Sequence, residues 1–121
     1  MGLDMYAMIT KEPLAGEVDC NPAEVDDLYS WRKHPNLHTW MAGLYYVKGG
    51  TDRMFNGATV ALNTQDLNLL EAFIKGNALP ETVGFCFGTS DETMIDGDLE
   101  FVALARNALS EGYSVLYTSS W

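Results

Sequence analysis

Between Pro35 and Gly50 the chain repeats Leu37, Trp40, Met41, Leu44 and Tyr45 at i, i+3, i+4, i+7 and i+8, which is one face of an α-helix. Pro35 suits the first helical position, and Gly49-Gly50 supplies a stop. A stripe this wide has to be covered, so the rest of the chain must provide a surface for it. Residues 2–9 read as a strand, with Leu3, Met5, Ala7 and Ile9 on one face and Asp4, Tyr6 and Met8 on the other. A loop from Thr10 to Asn21 follows. Asn21-Pro22 then reads as the opening of a helix in which Val25, Leu28, Tyr29 and Arg32 recur at three-to-four spacing up to the break at Pro35.

Residues 58–62 read as a second strand, and Asn63 or Thr64 caps a helix carrying Leu67, Leu70 and Ile74. The apolar run Val83-Gly84-Phe85-Cys86-Phe87 reads as a short central strand. A last helical region begins at Thr89-Ser90-Asp91 and closes at Gly112, with Leu99, Phe101, Val102, Leu104 and Leu109 on more than one face. Tyr113–Tyr117 reads as the final strand. The expectation is a single globular domain over residues 1–121, α/β or α+β, with about four strands and about four helices packed on the sheet.

At 121 residues a single core is feasible without staples. No apolar run approaches the length of a membrane span, and no signal-peptide pattern is present, so a cytoplasmic protein without membrane contact is expected. Two cysteines do not make a disulfide framework. Cys86 reads as a core residue and Cys20 as an inert thiol in a polar loop. No metal-ligand spacing and no cofactor motif is found. The net charge of −10 disfavours direct nucleic-acid binding, while an acidic surface that docks on a basic nucleic-acid-handling partner fits it.

Charge is unevenly placed. Residues 31–53 carry a balance of +3 against −13 elsewhere. Within that stretch, Trp31-Arg32-Lys33-His34-Pro35-Asn36-Leu37-His38-Thr39-Trp40 holds two of the three tryptophans and both histidines. Arg32 falls on the apolar stripe of the first expected helix, so it needs a carboxylate partner. Asp4 and the terminal carboxylate after Trp121 are the two candidates for a structural ion pair. The functional alternative places Trp31, Arg32, Lys33, His38 and Trp40 on one face, with Arg32 and Lys33 clamping an external phosphate or carboxylate and His38 as a weak candidate acid/base.

His34, beside Pro35, reads as a cap or an exposed loop residue. The acids Asp91, Glu92, Asp96, Asp98 and Glu100 read as dipole complementation and a solvated face. Ser119, Ser120 and Trp121 form a terminal anchor, with the tryptophan docked into the domain's own core or across a homodimer interface. Neither serine sits in a nucleophile elbow.

Several pieces together resemble a family of small uncharacterised proteins of bacteria and their phages: Met1-Gly-Leu-Asp-Met-Tyr6, Trp31–His38 with Trp40-Met41, Leu79-Pro-Glu-Thr82, Gly84-Phe-Cys-Phe-Gly88, and Tyr117-Thr-Ser-Ser-Trp121. The family's strand piece usually has an aromatic where Cys86 stands. The resemblance implies phage or prophage origin. It marks Asp4, Trp31, Arg32, Lys33, His38, Trp40 and the Ser-Ser-Trp end as pattern residues, and it brings no activity. The leading expectation is a phage-encoded accessory protein that binds a host protein or a small anionic ligand through the Trp/Arg/Lys/His face. The alternatives are a small enzyme acting on a phosphorylated or nucleotide substrate and an acidic mimic.

Overall fold

Four antiparallel strands form one sheet in the computed structural model, which describes residues 2–82 and 88–121. In chain order the elements are β1 (Asp4–Thr10), β2 (Asp26–Arg32), α1 (Pro35–Val47), β3 (Thr59–Leu62), α2 (Thr64–Lys75), α3 (Ile95–Ser110) and β4 (Ser114–Ser120), with a single 3-10 turn at Glu92–Met94 ahead of α3. The sheet order is β2-β1-β4-β3, an α+β arrangement with three α-helices among the described residues. The expected strand at Val83–Phe87 and its Cys86 lie outside the described residues.

Register puts Met5, Ala7 and Ile9 of β1 beside Trp31 and Tyr29 of β2 and beside Ser119, Tyr117 and Val115 of β4. Val60 and Leu62 of β3 continue the row. Because strand side chains alternate, these residues share one face, and that face forms the core with Leu37, Met41, Leu67, Leu70, Phe101 and Val102 from the helices.

The expected helix from Asn21 to Arg32 is instead a loop followed by β2, which pairs with β1 from Asp4↔Arg32 to Ile9↔Asp26 across one irregularity at Ala7/Met8. Val25, Leu28, Tyr29 and Arg32 fit a helical period, but the same stretch also alternates. Tyr29 and Trp31 point into the core, while Ser30 and Arg32 are exposed. Over so few residues the period is ambiguous, and strand pairing decides it.

The exit from β2 is fixed by Lys33, whose φ is 56° and whose amide donates to Leu3 O at 2.8 Å. This left-handed turn redirects the chain into α1 at Pro35. Gly88 lies so close that an added Cβ would fall 2.8 Å from the Lys33 Cβ.

Arg32 is not buried. Its side chain is 68% exposed, and its Nε lies 3.6 Å from Asp4 Oδ1 across the strand pair. The buried cation is Lys48, whose side chain is 10% exposed. Its Nζ donates to Ala61 O at 2.6 Å and Asp66 Oδ2 at 2.5 Å, and it pairs with Glu17 Oε2 at 2.8 Å. Asp66 also closes the capping box of α2 with Asn63. One ammonium thus joins the C-terminus of α1, the N-terminus of α2, β3 and the loop before β2. Lys48→Met should lower the unfolding free energy by about 2 kcal/mol, because it takes the cation from the largely buried Asp66. Arg32→Ala should cost less than about 1 kcal/mol. Urea unfolding at neutral pH measures both, and equal costs would contradict this ranking.

Candidate functional site

A carboxylate on the apolar stripe of α3 organises the polar interior. Asp98, Phe101, Val102 and Ala105 stand at i, i+3, i+4 and i+7, and all four are buried. Asp98 is 2% exposed, and a buried charge must be met by hydrogen bonds. Trp31 Nε1 donates to its Oδ1 at 3.1 Å, and His34 Nε2 lies 2.7 Å from its Oδ2. His34 is itself 3% exposed. Its other nitrogen, Nδ1, lies 2.7 Å from Ser90 Oγ.

Ser90 Oγ also accepts from Asn36 N at 3.0 Å. It therefore takes one of the free N–H groups in the first turn of α1, where His34 is the N-cap residue but makes no side-chain cap bond. Asn36 Oδ1 in turn accepts from Thr82 N at 2.9 Å, and Thr82 Oγ1 donates to Thr39 Oγ1 at 2.8 Å.

Proton positions follow from the partners. With Asp98 ionised and the His34 ring neutral, the carboxylate only accepts, so Nε2 carries the ring proton and Nδ1 presents a lone pair. Ser90, which already accepts from Asn36, directs its O–H to that lone pair. The chain Ser90–His34–Asp98–Trp31 is then fully satisfied.

This network forms one wall of a cavity of about 540 Å³. Ile74, Leu79 and Ile95 give it an apolar floor, and Asn77, Glu81, Thr82, Thr89, Asp91 and Glu92 line the rest with His34, Asn36, Ser90 and Asp98. No lysine or arginine is among the described lining residues.

The five residues expected on one face do not share it. Trp31 turns inward, with its ring 4.8 Å from Phe101 and 4.9 Å from Tyr29. Trp40 is buried against Phe73 at 6.2 Å. Arg32 and Lys33 are exposed, and His38 is inside the core at 4% exposure. His38 Nδ1 lies 2.8 Å from Tyr117 Oη, and its ring stacks on Phe55 at 5.2 Å. Desolvation lowers the His38 pKa from 6.5 to about 4, and burial raises that of Tyr117 well above its ordinary value. The neutral pair is a packing unit.

The Ser119–Trp121 segment is held by the Phe55–Gly57 loop. Gly57 N donates to Ser119 O at 2.8 Å, Trp121 N donates to Asn56 Oδ1 at 3.1 Å, and Trp121 Nε1 donates to Phe55 O at 3.3 Å. Ser119 is buried and Ser120 exposed.

Two further readings change. His34 is a buried network residue rather than an exposed loop residue. Asp98 belongs to the interior rather than to a solvated acidic face. Cys20 is buried, with Sγ donating to Gly16 O at 3.1 Å. The signal for the network was present in the sequence, since Asp98 interrupts an apolar helical stripe and thereby announces a buried carboxylate in need of donors.

Among the described residues no group of three or more His, Cys, Asp or Glu is arranged to hold a metal ion, and no helix is long and apolar enough to cross a membrane. Comparison with family models, curated proteins and solved structures returns no match.

The His38 environment makes a pH prediction. The ring is neutral when folded down to about pH 4, whereas the unfolded ring protonates near pH 6.5. Between those values the unfolded state binds more protons, so this contribution is complete above pH 6.5 and lost as pH falls towards 4. The loss should approach about 3 kcal/mol at 1.36 kcal/mol per unit. Urea unfolding from pH 7 to pH 4 should show it, and His38→Gln should remove that part of the slope. An identical slope in His38→Gln would refute the assignment.

Proposed function

We propose that this chain is a small-molecule-binding accessory protein, phage-encoded as the resemblance implies and acting in the host cytoplasm. Its ligand occupies the cavity at the N-terminus of α1. The supporting observation is the lining: an apolar floor, a rigid hydrogen-bonded wall, and the carboxylates of Glu81, Asp91, Glu92 and Asp98 with no described cationic side chain. A few convergent polar groups on an apolar surface select orientation, and carboxylates without counter-cations select against anions. The ligand class is therefore neutral or cationic and rich in hydrogen-bonding groups, not the small anion first expected.

The anion-clamp reading at Arg32, Lys33 and His38 has less support. His38 lies in the core, away from the two exposed cations, and Arg32 already faces Asp4. Binding of a host protein through Trp31 and Trp40 loses its main anchors, because both rings pack internally.

A thermal-shift screen tests the proposal with polyamines, amino-acid amides, nucleosides, sugar phosphates and dicarboxylates. A compound at 100 times its dissociation constant should stabilise the fold by about 2.7 kcal/mol, several degrees for a domain of this size. Hits are expected among the neutral and cationic compounds, and Glu81→Arg combined with Glu92→Arg should abolish the shift from a cationic hit. Hits confined to phosphates or dicarboxylates, and lost in Arg32→Ala, would overturn the assignment in favour of the anion clamp.

A further inference from the structure

We propose that Ser90, His34 and Asp98 form an acyl-transfer triad that cleaves a carboxylic ester or amide held in the cavity. The inference deepens the ligand-binding reading and rests on the same cavity as substrate site. A nucleophile, a base and an orienting acid have to be linked by hydrogen bonds in that order, with the nucleophile reachable from a pocket. Here both links are 2.7 Å long, Ser90 is partly exposed, and it lines the cavity along with the other two. The two ring nitrogens exchange the roles they have in serine proteases, since Nδ1 meets the serine and Nε2 the acid. The imidazole relays a proton equally well in either sense.

The surroundings supply what such a triad needs. Trp31 Nε1 occupies the second oxygen of Asp98, so the carboxylate is locked in place and cannot rotate away from His34. The amide of Asn36, in the first turn of α1, points at Ser90 Oγ, where the positive helix end favours developing negative charge. A helix cap alone would account for the Asn36–Ser90 bond. It would not account for a buried imidazole on the far side of the same oxygen, or for that imidazole being backed by a buried carboxylate.

The chemistry balances without a cofactor. Ser90 Oγ forms a bond to the carbonyl carbon as its proton passes to His34 Nδ1, and the carbonyl π pair moves onto oxygen. That pair returns as the bond to the leaving alcohol or amine breaks, and His34 Nδ1 gives its proton to the departing atom. Water then attacks the acyl carbon and gives its proton to Nδ1; the bond to Ser90 Oγ breaks, Nδ1 returns the proton to Oγ, and the carboxylic acid leaves. The side-chain NH2 of Asn36, whose amide oxygen accepts from Thr82 N, is one lining donor for the carbonyl oxygen, alongside those of Asn77 and Thr89. Asp98 does not touch the substrate and acts as a positioning residue through His34.

The test is covalent trapping of the full chain with a neutral alkyl phosphonofluoridate. The Ser90 Oγ–P bond forms, fluoride leaves, and the proton goes through His34 to solvent. Intact mass and peptide mapping should find one adduct, on Ser90, absent in 6 M urea and in Ser90→Ala. His34→Gln should slow labelling by about 100-fold or more. His34 faces Asp98 from α3 and Ser90 from the loop before it, with Glu81, Asp91 and Glu92 around the cavity. Asp98→Asn should slow labelling and Asp98→Glu should restore part of the rate, a rescue that loss of packing alone would not give.

Circular dichroism identifies variants that fail to fold, and the wild-type and Ser90→Ala pair decides the matter without them. Folded wild-type protein that gains no adduct on Ser90, or gains it equally in urea, overturns the triad. If compounds still bind in the thermal-shift screen in that case, the ligand-binding reading stands by itself. An adduct on Ser90 with no such binding leaves the triad standing and removes the proposed ligand preference.

Discussion

The buried carboxylate of Asp98 is the constraint around which this fold is arranged. A charge on the inner stripe of α3 is tolerated only when donors reach it, and both donors come from elsewhere in the chain. Trp31 arrives from β2, an edge strand, and His34 from the turn between β2 and α1. The two bonds therefore fix how α3, β2 and the start of α1 sit together, over sequence separations of 67 and 64 residues. Removing either donor would leave a buried charge underpaired, a cost of several kcal/mol. The left-handed turn at Lys33 belongs to the same arrangement, because it carries the chain from Trp31, inside the sheet face, to His34, beneath the helix end.

Long and strongly periodic elements were legible in the sequence. The stripe from Leu37 to Tyr45 is α1, Asn63 caps α2 as its side-chain chemistry demands, and the alternation of Met5 and Ala7, after Leu3, is the inner face of β1. The stretch before Pro35 was not legible, because four apolar or amphipathic residues over eight positions fit two periods. Sheet pairing with β1 settled it, and no local propensity carries that information. The error propagated. Placing Arg32 on a helix made it a buried cation, whereas strand alternation turns it to solvent opposite Asp4. The same physical argument, applied to Asp98 within α3, leads directly to the network.

The basic island also thins once its members are placed, with Lys33 and Arg53 left exposed. Lys48 is consumed by Glu17, Asp66 and Ala61, Arg32 faces Asp4, and Lys33 shapes a turn against Gly88. A local balance of +3 along the sequence therefore overstates the positive charge left unpaired in space. Charge counts along a chain describe long-range fields, but a site is decided by which side chains converge. Here those that converge on the cavity are carboxylates, hydroxyls, two amides and an imidazole.

The two histidines, four residues apart, show how one helix end creates two chemistries. His38, one turn into α1, faces the aromatic interior. With Phe55 stacked on it and Tyr117 as polar partner, its protonation is opposed by desolvation with no carboxylate among its described partners. His34, at the N-cap position, sits where the backbone has left its helical ladder and the first amides of α1 have no partner within the helix. A polar cluster can therefore be built there at low cost, from Ser90 above and Asp98 below. The first ring is stable because it stays neutral and dry. The second is held between an acid and a hydroxyl on a cavity wall, which is the environment in which an imidazole can pass protons.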